Sequence, residues 1–359
     1  DSMTILLKMV YARPYQWRVL IRRTNILVTN IGNMALHAAK NIGAAFTITR
    51  EFLLPFDSRR WLKLALVVFF IGGGLNIPSF QFSMSSPADQ IPDSELPLTV
   101  PSDLVTLIAV LVVAAIFVGL VFALVGAIME FVFIESLRTG DVSIRRSWSD
   151  RWRQGLRLFG FRIAIGLPTL GLFVGWLALL FVPLFTGRDP IVPFGAFLLG
   201  IPIVFLVGVV YGVMAGFTTV FVVPLMIQHD SGVLAAWRRL WGSIKAEWKQ
   251  YLAYAVIGFF LTMAAGVLAS IVLGIAALVL LIPFAIVAGI THVTVSLSST
   301  VGLAVLIGLA VLFATIMISL WALVQVPIVT YLRYYALLVL GDIEESFDII
   351  PDRRAAIEE

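Results

Sequence analysis

The chain has 359 residues, of which 60% are hydrophobic and only 13% are charged. Soluble domains carry about a quarter charged residues, so this composition excludes an ordinary soluble fold and predicts an integral membrane protein. The absence of cysteine excludes disulfides, thiolate metal sites and cysteine nucleophiles. The formal net charge of +4 comes from basic clusters at the ends of apolar runs, so it indicates membrane topology rather than nucleic-acid binding.

The apolar runs define an all-α membrane domain at 57–345. They are far longer than the roughly ten-residue strands of a barrel, so each is predicted to be a transmembrane helix. Residues 1–56 are basic, and we interpret them as a cytoplasmic or interfacial segment lying on the membrane. Residues 346–359 are predicted to form a cytoplasmic tail. The six predicted spans cover about 61–80, 103–135, 159–184, 194–227, 251–290 and 301–340.

The last two spans are unusually long, at about 40 residues each. About 20 residues suffice to cross the hydrocarbon of a bilayer. Neither span contains a polar turn at which it would divide in two. The pattern therefore predicts long tilted helices, with Pro283 and Pro327 as candidate kinks.

The distribution of positive charge predicts the orientation. Beyond residue 56, Lys and Arg are concentrated in four segments, whereas the three loops between them hold only Arg188. By the positive-inside rule, the chain is a multi-pass protein of the cell membrane with both termini in the cytoplasm. The basic segments are 57–63, 137–162, 238–249 and 333–354, and the other loops are 81–101, 186–192 and 291–300.

A tryptophan-rich amphipathic helix is predicted at 234–252, between the fourth and fifth spans. Its apolar residues recur at helical spacing with cations between them, which is typical of a helix in the membrane interface. A second tryptophan pair precedes the third span. The candidate lipid-contact residues are Trp148, Trp152, Trp237, Arg238, Arg239, Trp241, Lys245, Trp248 and Lys249.

The sequence predicts three helical hairpins with the same order of elements, which indicates an internal repeat. Each hairpin has a basic lead-in, a span out, a loop, a span back and a glycine. Gly140, Gly232 and Gly341 lie where a left-handed helix C-cap is expected. The alternative is that basic and aromatic residues mark the cytoplasmic ends of any polytopic protein.

Three stretches carry a resemblance to known sequences: EFLLPFDSRRWLKLALVVFF (51–70), AWRRLWGSIKAEWKQYL (236–252) and YLRYYALLVLGDIE (331–344). They resemble a group of uncharacterised archaeal membrane proteins, best represented in haloarchaea. More distantly, the architecture is similar to the membrane domain fused to some glycerophosphoryl diester phosphodiesterases. The resemblance implies a six-helix membrane domain whose motifs carry no known catalytic role.

Catalytic motifs are missing from the sequence. The three histidines fall in different segments without metal-ligand spacing, and no phosphate-binding loop, HExxH or GxSxG is present. We therefore expect neither a cofactor nor a bound metal. Ionisable groups inside spans mark functional sites or inter-helix pairs, and Glu130 with Arg162 is a plausible pair. The intramembrane polar candidates are Glu130, Glu135, Arg162 and Gln325.

Three functions remain open from the sequence. The first is a non-enzymatic membrane protein that binds membrane lipids as a structural, scaffolding or lipid-handling module. The second is a transporter or permease subunit in which 234–249 is a cytoplasmic coupling helix for a protein partner. The third is an intramembrane enzyme, and Glu130 is the only residue that supports it. The repeated basic–tryptophan helices favour the first.

The six-span topology is testable because the chain contains no native cysteine. Cysteines introduced at Ser86 and Ser298 should react with an impermeant maleimide from outside the cell. Cysteines at Ser147 and Ser243 should react only after permeabilisation. Labelling of residue 243 from outside would contradict this topology.

Overall fold

In a computed structural model of the chain, the structure describes residues 41–72, 102–185, 191–295 and 299–358. These ranges are helical and contain no strand. The helices are 41–53 (α1), Ser58–Ile71 (α2), Ser102–Thr139 (α3), Ile144–Phe185 (α4), Ile191–Phe217 (α5), Val223–His229 (α6), Val233–Val295 (α7), Thr300–Ile343 (α8) and Pro351–Glu358 (α9). A π-helical turn, Thr218–Val222, joins α5 to α6, and a 3-10 turn, Glu345–Phe347, precedes α9.

Five helices in the described ranges are long and apolar enough to cross a membrane. The protein is therefore a multi-pass membrane protein of the all-α class. Residues 73–80 of the predicted first span lie outside the described residues, as do the loops at 81–101 and 186–190; residues 61–71 belong to α2. The five candidate spans are Val105–Thr139, Ile144–Pro183, Pro193–His229, Val233–Thr294 and Thr300–Ile343.

The prediction that each of the last two spans is one long helix is confirmed, whereas their tilt and the kinks at the two prolines stay predictions. Pro283 lies inside α7 and Pro327 inside α8, and both helices continue past them. The residue of α7 with non-helical backbone is Glu247, at φ −126° and ψ 38°. It separates an amphipathic first part, 233–246, from the apolar remainder. At 1.5 Å per residue α8 is about 66 Å long, roughly twice the hydrocarbon thickness.

The buried core lies at one end of the bundle, which we call the basic end because the Arg- and Lys-rich segments meet there. Phe131, Phe221 and Leu340 are fully buried at this end. Away from it, side chains such as Phe117 and Phe205 are about two-thirds exposed or more, at 68% and 72%. Lipid tails are as apolar as these side chains, so this surface suits the hydrocarbon of a membrane.

The long helices form an open arc. α2 packs between α3 and α8, α3 packs on α4, α4 on α5, and α7 on α8. Among the described residues, α5 makes no comparable contact with α7 or α8. The arc is closed only at the basic end, where α6 packs on α3 and the π-helical turn touches α7 and α8.

Both flanking segments pack into this core. In α1, Ala45, Ile48 and Phe52 are buried, and the Phe52 ring meets the edge of Tyr334 at 5.9 Å. After α8, Ile350 is buried and the Arg354 guanidinium pairs with Asp348 and Asp342. The segments predicted to be a surface-lying N-terminus and a tail therefore contribute to one folded unit in their described parts.

One of the three predicted glycine caps is confirmed. Gly140 follows α3 with φ 78°, a left-handed conformation that favours glycine. The prediction for Gly232 is wrong, because Asp230 takes the left-handed position after α6 at φ 45°. The prediction for Gly341 is also wrong, because α8 continues to Ile343. A Cβ on Gly341 would collide with Arg354, so this glycine admits the tail.

The α3–α4 crossing depends on a glycine with no room for a side chain. A Cβ on Gly155 would lie 2.8 Å from the Ile128 Cα, a backbone atom that cannot rotate away. We expect Gly155→Ala to lower the free energy of unfolding by about 1–3 kcal/mol, measured in detergent. Gly160→Ala on the same helix is the control, because a Cβ there meets nothing within 4 Å. Equal effects of the two changes would contradict this packing.

Candidate functional site

A buried charge cluster lies at the basic end, between α3, α4, α8 and the π-helical turn. Glu130 of α3 is only 1% exposed. Its Oε1 accepts from Arg162 Nη2 of α4 at 3.2 Å, so the predicted pair is present. Its Oε2 accepts from Arg333 Nη2 of α8 at 2.5 Å. One carboxylate therefore binds two guanidinium groups from two other helices.

Arg333 is a member of this cluster that the sequence analysis missed. Its position beside Tyr331, Tyr334 and Tyr335 looks like an interfacial belt, yet its side chain is only 8% exposed. The feature that identifies Arg333 as a partner of Glu130 is its similar distance from a helix end. Glu130 is nine residues from the end of α3 and Arg333 is ten from the end of α8. At 1.5 Å per residue, each is about 14 Å inside its helix.

The π-helical turn is the fourth segment that contributes to the cluster. Pro224 has no N–H to offer the Thr219 carbonyl five residues earlier, and the Val223 N–H bonds to Thr218 instead. The Thr219 carbonyl is thereby free to accept from Arg333 Nη1 at 2.6 Å. The Thr219 hydroxyl accepts from Arg162 Nη2 at 2.9 Å. In the sequence, Pro224 was the signal for the free Thr219 carbonyl, because it lies five residues after it.

Three polar residues thus meet at one point: Glu130 of α3, Thr219 of the π-helical turn and Arg333 of α8. Sites of membrane proteins built from repeats are found at such interfaces, next to interrupted helices. The ionic groups of the cluster have a net charge of +1. Burial of these charges is costly unless they are paired, so the cluster fixes the relative position of the hairpins.

The other predicted polar residues lie outside the cluster. Glu135 pairs with Arg151 at 3.1 Å and with Arg138 at 3.5 Å, one turn nearer the basic end. Gln325 is half-buried on α8 and is not bonded to Glu130 or its partners. These two residues therefore contribute to packing near the cluster rather than to its hydrogen bonds.

The first part of α7, 233–246, has a face packed on the protein. Val233, Ala236 and Leu240 are buried there. Trp237 is half-buried on the same side, and its indole N–H donates to the Thr218 hydroxyl at 3.0 Å. Trp237 therefore connects this helix to the π-helical turn beside the charge cluster, and its role as a lipid contact stays a prediction.

A second face of the same helix is apolar and uncovered. Trp241 is 54% exposed, and Trp248, beyond Glu247, is 55% exposed. The Lys245 ammonium lies 5.7 Å from the Trp241 ring centroid, close enough for a cation–π contact. A third face carries exposed Arg239 and Ala246. Arg238 is also exposed, whereas Lys249 is half-buried.

The start of α4 repeats this arrangement. Trp148 is half-buried against the core, whereas Trp152 is 43% exposed with the Arg153 guanidinium 5.7 Å from its ring. Trp148 and Trp152 precede Trp237 and Trp241 by 89 residues each. In both helices the first tryptophan faces protein and the second is uncovered, which supports the internal repeat.

The family comparison matches a family of unknown function, DUF7544, over residues 36–350. The chain belongs to this family. The match covers the charge cluster and both tryptophan-bearing helices, so DUF7544 includes the whole candidate site. No match was found among curated proteins or among solved structures. Within the described ranges, no group of three His, Cys, Asp or Glu side chains is placed to hold a metal ion.

The cluster predicts an order of stability effects. Glu130→Gln leaves Arg333 buried without its counter-charge, which should cost about 3–5 kcal/mol of unfolding free energy. Arg162→Gln should cost about 1 kcal/mol or less, because that side chain is 29% exposed. Denaturant titration of the purified protein measures both. A Glu130→Gln variant with wild-type stability would show that the carboxylate does not hold the hairpins together.

A double variant distinguishes the loss of the Glu130–Arg333 ion pair from the local effect of each substitution on stability. Glu130→Gln with Arg333→Gln removes both partners, so it should cost less than the sum of the two single changes. Additive costs would contradict the pair. The exchange Glu130→Arg with Arg162→Glu should not recover stability, because the new arginine would face Arg333.

Proposed function

We propose that this DUF7544 protein is a non-enzymatic membrane protein that binds lipid through its basic end, as a structural, scaffolding or lipid-handling module. One observation carries the proposal: Trp241 and Trp248 are uncovered on a face separate from the face that packs on protein. Tryptophan at a membrane boundary lies at headgroup level, and neighbouring cations attract anionic lipid.

The proposal includes six spans with the basic end in the cytoplasm of the cell. The first span, predicted at about 61–80, includes α2 and residues outside the described ranges, and the charge distribution supports the orientation. Packing of both α1 and α9 at the basic end supports a common side for the two termini. Ser147 and Ser243 are buried, so the exposed Ser149 and Ala246 are better positions for cytoplasmic labels. The haloarchaeal-type and phosphodiesterase-domain resemblances also belong to this proposal.

Two contributions hold the α7 interfacial helix on the membrane. Arg238, Arg239 and Lys245 are exposed, and each cation near an anionic surface contributes about 1 kcal/mol before salt is considered. The tryptophan rings add an apolar contribution that salt does not screen. We therefore expect attachment to anionic membranes to weaken in salt but not to disappear.

A transporter or permease subunit is the alternative. The charge cluster beside the π-helical turn favours it, because interrupted helices at repeat interfaces commonly hold substrates. The Trp237–Thr218 hydrogen bond would connect a coupling helix at 234–249 to that cluster. A copurified nucleotide-binding subunit would support this alternative, whereas a copurified lipid would support the lipid-binding function.

Spin labels test the proposed face directly, because each cysteine introduced into this chain is unique. Labels at Trp241→Cys and Trp248→Cys should be accessible to oxygen and protected from a water-soluble relaxation agent in nanodiscs. Labels at the exposed Ala235 and Ala246 are controls and should show the reverse. Water accessibility at residues 241 and 248 would reject lipid contact and favour a protein partner on that face.

A further inference from the structure

A basic groove lies between α2 and the start of α4. It is an open surface depression with a volume of about 700 Å³. Lys63 comes from α2, and Ser143, Arg145 and Arg146 come from the α3–α4 connection and the first turn of α4. Ligand-binding clefts occupy about 300–1,000 Å³, so the groove has the size of a small-molecule site.

The lining is cationic and only partly neutralised. Arg145 and Arg146 are exposed and form no ion pair with a described residue. Lys63 Nζ donates to the Val142 carbonyl at 3.2 Å, which uses one of its three N–H groups. Asp150 is the acidic residue of the lining. The lining thus contains three cations and one acid.

The backbone adds to this positive potential. The first turn of α4 contains no acidic residue, although a helix start favours anions and disfavours cations. Arg145 and Arg146 are therefore placed where they oppose the helix dipole. An anion in the groove would offset both the dipole and the three side chains. The helix dipole thus adds to the positive potential that the three cations create in the groove.

The groove also lies at the level where a membrane surface is expected. Lys63 is followed directly by Leu64 and the apolar remainder of α2. On α4, the uncovered Trp152 lies within one turn of Asp150. Cations immediately outside an apolar helix with a nearby tryptophan are typical of phospholipid headgroup contacts.

We propose that this groove binds the phosphate of an anionic phospholipid headgroup, held by Lys63, Arg145 and Arg146. The inference rests on the proposed lipid-binding function and gives it a specific site. The groove belongs to α2 and α4, whereas the spin-label experiment addresses α7. A negative result for the groove can therefore be distinguished from a negative result for the proposed lipid-binding function of α7.

Thermal unfolding of the full-length protein in a neutral detergent tests the groove, with phosphatidylglycerol, phosphatidylcholine or inorganic phosphate added separately. Phosphatidylglycerol should raise the unfolding temperature to a plateau, whereas phosphatidylcholine should not. In the Arg145→Gln, Arg146→Gln variant, the phosphatidylglycerol concentration for half the effect should rise about tenfold, since each lost cation costs about fivefold before screening. Both arginines are exposed, so the variant should fold.

The control is Arg50→Gln with Arg157→Gln, which removes the same charge from exposed positions of α1 and α4 outside the groove. This control should respond to phosphatidylglycerol as the wild type does, within about twofold. Equal losses in the two variants would reject a specific site in favour of general surface charge. An equal response to phosphatidylcholine would reject headgroup recognition. Inorganic phosphate acting at the same concentration would reject the lipid as the source of the phosphate.

Discussion

The carboxylate of Glu130 holds the basic end of the molecule together. It is almost fully buried and binds Arg162 of α4 and Arg333 of α8, while Thr219 accepts from both arginines. No hydrophobic force drives helices together inside lipid, so packing and polar contacts must do so. In this protein the buried core and the polar contacts that join the three hairpins lie at the basic end.

This division explains the open arc of helices. Apolar side chains beyond the core gain nothing by leaving lipid for another helix, so α5 and α7 need not meet. The interrupted helix at Thr218–Val222 has a cause in Pro224, and its consequence is a free carbonyl that Arg333 uses. Trp237 then extends the same network to the interfacial helix through Thr218.

The tryptophan-bearing segments at the starts of α4 and α7 have three faces rather than two. Their apolar residues divide between protein and an uncovered side, and their cations lie beside the uncovered side or on the third face. Trp237 and Trp241 illustrate the division, since one is packed on the core and the other is uncovered. The sequence could not separate them, because an apolar side chain suits protein and lipid equally well and four residues on a helix turn it by only about 40°.

The sequence alone determined the properties that arise from composition and periodicity. It predicted the all-α membrane class, the long helices of the last two spans, the Glu130–Arg162 pair and the C-cap glycine Gly140. These depend on local hydropathy, on depth within a helix and on backbone sterics. Only the tertiary structure brought Arg333 to Glu130, across 203 residues of chain, and packed the flanking segments into the core. Such contacts depend on which helices become neighbours, and that choice is made by packing over the whole chain.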